Sequence, residues 1–142
     1  MSEGSASRSD RVSIDEAVMD IYRELTEGSN VEQAPFRTLK DVFMLAVALG
    51  FRRGVRRPAP SHSKHTIRRE VFSDNDYHLL KAIAIATTGD VEVLMRQSEV
   101  LTIAEEFAQI GIHEVKSTLM EQAGRPLWNL VSLSGTVLNR LT

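Results

Sequence analysis

Apolar positions along the chain recur at helical rather than alternating spacing. Ile14, Val18, Ile21, Tyr22 and Leu25 share one helical stripe, and Ser13 with Glu16 three residues later has the reciprocal spacing of a capping box. A first helix is expected over residues 14–26, closed by Gly28, Ser29 and Asn30 and barred from continuing by Pro35. Thr38 can cap a second helix, with Asp41 in the first turn where the helix dipole favours a negative charge. Residues 42–49 (VFMLAVAL) are apolar nearly all round, which puts this helix at the centre. Gly50 stands where a left-handed residue would end it.

Residues 51–70 show no helical stripe and contain Gly54, Pro58 and Pro60, the signature of an irregular loop or a small hairpin. Ser73 caps a third helix whose inward stripe is Tyr77, Leu80, Ile83 and Ala84, stopped at Gly89. Asp90 opens a short turn through Met95, and Ser98 opens a helix through Leu101, Ile103, Ala104, Phe107 and Ala108 that ends near Gly111. Residues 112–122 and 126–141 each support one more helix, separated by Gly124, with Pro126 in a first turn that does not need its N–H. Trp128 falls within the last apolar stripe and is expected to anchor the core. The fold class that follows is all-α, a compact bundle of five to seven helices with one basic irregular loop or small hairpin. Residues 1–12, small and polar, form a disordered tail, and residues 13–142 form a single helical domain.

Composition narrows the classes further. With 142 residues, 42% hydrophobic and 25% charged, the chain has the make-up of one globular domain. It contains no Cys, so disulfides are excluded. No apolar run approaches the roughly 20 residues that a spanning helix needs, and no basic-then-apolar leader is present. A cytoplasmic protein with no membrane partner is expected.

The net charge of −2 hides a strong polarity. Residues 1–35 carry three basic and eight acidic groups, whereas residues 36–69 carry nine basic groups against Asp41 alone. Residues 90–122 are acidic again, with two basic and seven acidic groups. Arg52, Arg53, Arg56, Arg57, Lys64, Arg68 and Arg69 lie within eighteen residues free of Asp and Glu, and six of the seven are Arg. Arg presents a planar fork that grips phosphate with two hydrogen bonds, so these seven residues are the candidate nucleic-acid contacts. The competing reading pairs them with the acidic stretches, within one molecule or across a homo-oligomer.

Catalytic chemistry finds little support. There is no G-x-S-x-G elbow, no phosphate-cradling G-x-x-x-x-G-K loop and no H-E-x-x-H. His62 and His65 lie three apart but have no third ligand nearby, and Glu105 and Glu106, adjacent on a helix, point about 100° apart. No catalytic residue, metal or cofactor is assigned.

The segment FRTLKDVFMLAVALGFRRG at 36–54, with VLTIAEEFAQIGI at 100–112, resembles the Dnd system-associated protein 4 family, small proteins encoded beside bacterial DNA phosphorothioation genes. That resemblance implies a setting of antiphage defence and other defence-system proteins as partners. It carries over no active-site motif. The expected function is a non-enzymatic DNA-associated accessory that meets phosphates through its Arg-rich loop. The alternatives are a helical adaptor or homo-oligomeric scaffold and, behind it, a metal-dependent nuclease using Glu105 or Glu106.

Overall fold

A computed structural model describes residues 10–60 and 63–141. The fold is dominated by helices, but the first element is a strand, β1 (Arg11–Ile14). A single 3-10 turn at Glu16–Val18 leads into α1 (Met19–Thr26), followed by α2 (Leu39–Arg53), β2 (His65–Arg68), α3 (Asp74–Thr88), α4 (Gln97–Val115) and α5 (Pro126–Leu141). A second 3-10 turn, Arg69–Val71, leads from β2 into α3, a third, Val91–Met95, sits between α3 and α4, and a π turn, Lys116–Met120, follows α4. Strands β1 and β2 pair antiparallel, Arg11 opposite Arg68 and Ile14 opposite His65. No helix among the described residues is long and apolar enough to cross a membrane.

The small sheet corrects the all-α expectation and moves the tail boundary. Residues 1–9 of the expected tail lie outside the described residues, but Arg11 to Ile14 alternate half-buried and buried positions, with Val12 and Ile14 facing the core. The capping box expected from Ser13 and Glu16 does not form. Asp15 caps the 3-10 turn by accepting from Ala17 N–H, and Glu16 instead meets His65 Nε2 at 2.8 Å. The basic segment forms no hairpin of its own: it contributes the single strand β2, whose partner β1 lies more than fifty residues away in the chain.

Helices α2 and α4 form the centre. α2 begins at Thr38, whose hydroxyl accepts from Asp41 N–H, and runs through Gly50 to a left-handed Gly54 with φ 78°. Gly50 is thus no terminus. A Cβ at Gly50 would overlap the Phe107 carbonyl, and a Cβ at Gly111 would overlap the Ala46 carbonyl. These two glycines let the backbones of α2 and α4 touch, and α4 runs unbroken past Gly111 for the same reason. Around this contact Val42, Phe43, Ala46, Val47, Leu101, Ala104 and Ile112 are buried in one continuous core. α3 follows the expected pattern, with Ser73 and Asp76 making a reciprocal capping box and Gly89 ending it in the left-handed region.

α5 departs from expectation. Trp128 is 55% exposed and Val131 54% exposed, while Leu130 and Leu133 are only partly covered by the core. The helix is held at its base, by Leu127 N–H donating to the Glu32 carbonyl and by Arg125 paired with Glu32 at 2.9 Å. Trp128 therefore does not anchor the bundle.

Candidate nucleic-acid interface

The basic segment leaves the C-terminal turn of α2, where Arg52 and Arg53 complement the negative end of the helix dipole. It does not hang free. Phe51 packs edge-on against Phe107 with ring centroids 5.6 Å apart, and Arg56 lies over the same ring at 5.7 Å. Arg57 N–H donates to the Glu106 carbonyl at 3.2 Å, so residues 51–57 are laid along α4.

This course sorts the arginines. Arg52 Nη2 meets Glu114 Oε2 at 2.7 Å, and Arg56 Nη1 meets Glu106 Oε1 at 3.2 Å. For these two the expected freedom from carboxylates is corrected: the acidic stretch of α4 supplies their partners. Arg53 and Arg57, each one residue further on, are exposed and make no ion pair among the described residues. Lys64 and Arg68 are likewise exposed without an ion-pair partner there, and Arg69 stacks over the Tyr77 ring at 5.2 Å. The seven candidates fall into two groups, one where α2 ends and one along and after β2.

Consecutive residues of α4 hold the first group directly and the second only through β1, the partner strand of β2. Glu106 holds the first group, and the buried Glu105 carboxylate accepts Ser13 N–H from β1 at 2.6 Å. Four residues on, Gln109 Nε2 reaches Asp15 at 3.4 Å. Glu105 and Glu106 thus point to different partners, as adjacent helical positions must, and neither is presented to a shared substrate. Among the described residues no three His, Asp or Glu side chains are grouped to hold a metal ion. His62 lies outside the described residues, and His65 is engaged with Glu16.

Arg11 was assigned to the tail on sequence, yet β1 sets it on the exposed ribbon face directly across from Arg68. The signal for it was present, an Arg-Val-Ser-Ile alternation, but four residues are too few to separate from a helix start. Arg11 Nε meets Asp10 Oδ1 at 2.9 Å. The Asp10 carboxyl is held below its ordinary range by this hydrogen bond, with Arg68 adding to the effect.

A family model described as DNA sulphur modification system-associated protein 4 matches residues 11–134. The chain belongs to that family. The match extends well beyond the two segments that carried the resemblance. It begins at the first residue of β1 and takes in every basic side chain described above. No curated relative and no solved structure matches the chain.

Proposed function

We propose that this protein is a non-enzymatic accessory of a DNA sulphur modification system that contacts DNA phosphates. One observation carries the reading: Arg53 and Arg57 stand exposed and without ion-pair partners among the described residues, on a segment pinned to α4 by Arg56 and by the Arg57 N–H. Guanidinium groups carried on a fixed backbone lose less freedom on binding than those of a loose loop. Arg52 and Arg56 can join them, because an exposed ion pair is worth only about 0–1 kcal/mol and exchanges readily for a phosphate. Contacts of this kind release counterions and read little sequence. Mobility shifts of a short duplex, with and without phosphorothioate linkages, test the reading over a salt series. Binding that weakens steeply with salt is expected; no retardation at low salt overturns it.

A second reading, a helical adaptor or homo-oligomer working with other proteins of the system, is favoured by a separate observation. Leu45, Ala48 and Leu49 of α2 and Leu130 and Leu133 of α5 line an apolar groove of about 460 Å³, and Trp128 and Val131 are half-exposed on the same α5. Exposed apolar surface of this sort marks contact with another macromolecule. Light scattering decides it, through a mass above that of one chain.

A further inference from the structure

The exposed face of the β ribbon carries two like charges on one rung. Arg69 N–H donates to the Asp10 carbonyl at 2.7 Å, which makes Asp10 and Arg69 a hydrogen-bonded rung. Antiparallel ladders alternate, so Arg11 and Arg68 occupy the next rung, a non-hydrogen-bonded one, where Cα atoms come within roughly 4.5 Å and side chains are closest. Ser13 fits the same alternation, for its N–H turns away from β2 and is taken by Glu105. Like charges directly opposite on such a rung repel, and an anion between them removes the repulsion.

The chain supplies part of that anion itself. Asp10 reaches Arg11 through one oxygen, and both side chains stay exposed, at 55% and 40%. Arg68 has no ion-pair partner among the described residues. Beyond the rung, Arg69 and Lys81 both stack on Tyr77, with centroid distances of 5.2 and 5.1 Å, so one aromatic ring holds two further cations beside the end of the ribbon. Glu70 and Asp74 line the same small cleft as Arg69 and Lys81, and Glu70 also adds to the raised value of Arg11, so Asp10 and Glu70 are the two carboxylates that act on the Arg11 side of the rung.

We propose that Arg11 and Arg68 form a second phosphate seat for duplex DNA, at which a backbone phosphate takes the place of the Asp10 carboxylate. The assignment rests on the DNA-contact reading above and adds to it a site with two residues acting together, one of which lies outside the Arg-rich segment. A planar fork from each strand converges on one phosphate, the arrangement in which Arg outperforms Lys. Asp10 then tunes the seat by competing with DNA for Arg11.

Fluorescence anisotropy of a labelled short duplex tests this with four proteins: the wild type, the double variant Arg11→Thr with Arg68→Thr, Asp10→Asn, and the double variant Arg53→Ala with Arg57→Ala. Thr keeps the strand propensity of the ribbon, and a circular dichroism melt checks that each variant folds. The ribbon variant is expected to bind at least about tenfold more weakly and to make the slope of log K against log salt shallower by about 1–2. Asp10→Asn, which keeps the ribbon charges, is expected to bind several-fold more tightly at low salt. Wild-type affinity and slope in both the ribbon variant and Asp10→Asn, with loss only in the Arg53 and Arg57 variant, overturns the second seat and leaves the broader reading standing. A wild type that does not bind the duplex removes both.

Discussion

The main-chain N–H of Ser13 donates to the buried carboxylate of Glu105 at 2.6 Å, joining the first strand to the middle of α4. The bond answers a general problem of a short two-stranded ribbon, whose outer edge leaves N–H groups unpaired. Glu105 is 3% exposed, so it is a packing residue with a fixed polar task.

Replacing Glu105 with Ala removes that acceptor and leaves a void under β1. A loss of about 2–4 kcal/mol is expected in urea unfolding, whereas Glu105→Gln, which keeps an acceptor oxygen, is expected to lose less than half as much. Equal losses would show that a neutral acceptor oxygen does not stand in for the carboxylate.

Gly50 and Gly111 face carbonyl groups of the opposing helix, so a methyl group at either has nowhere to go. Gly50→Ala gains helix propensity worth about 1 kcal/mol, yet the clash with main chain is expected to outweigh it and cost a net 2 kcal/mol or more. Gly135, on α5 with no atom near its would-be Cβ, is the control, and Gly135→Ala is expected to stabilise slightly. Thermal melts of the two variants should move in opposite directions.

The Tyr77 hydroxyl is buried without a hydrogen-bond partner, while its ring carries Arg69 and Lys81. Tyr77→Phe removes the unsatisfied group and keeps the ring, and a gain of up to about 1 kcal/mol in stability is expected. A loss of that size would mean that the hydroxyl has a partner in solution.

Asp76 ties the start of α3 to α2, accepting from Ser73 N–H and from Lys40 Nζ at 2.7 Å. Burial raises its carboxyl, but the hydrogen bonds from Lys40 and Ser73 outweigh that effect and hold it below the ordinary value. A depressed folded-state value adds stability above the ordinary carboxylate range, and that stability disappears as pH falls through the lowered value. Asp76→Ala is expected to cost about 1–2 kcal/mol near neutrality and to flatten the acid limb of stability against pH below about pH 4.

Local signals made some elements legible and long-range ones hid the rest. α3 is written in its own ends, Ser73 with Asp76 at one and Gly89 at the other, and the apolar run after Thr38 marked α2 as central. Gly50 and Gly111 misled because a glycine inside a helix looks like a terminus until the helix that crosses it is known. β1 was illegible for a related reason: four alternating residues gain meaning only from β2, over fifty positions on. The basic cluster could be read from composition, but its division could not. Which arginines Glu106 and Glu114 hold depends on how α2 lies along α4, and that leaves Arg53 and Arg57 outward.

Reversing the charge of those two outward arginines tests the central claim most directly. Duplex affinity at low salt is to be measured for Arg53→Glu with Arg57→Glu beside the wild type, with helical circular dichroism as the check on folding. A folded variant whose binding falls at least about a hundredfold is the expected result, since each lost phosphate contact is also replaced by repulsion. A folded variant that binds the duplex as tightly as the wild type contradicts the account.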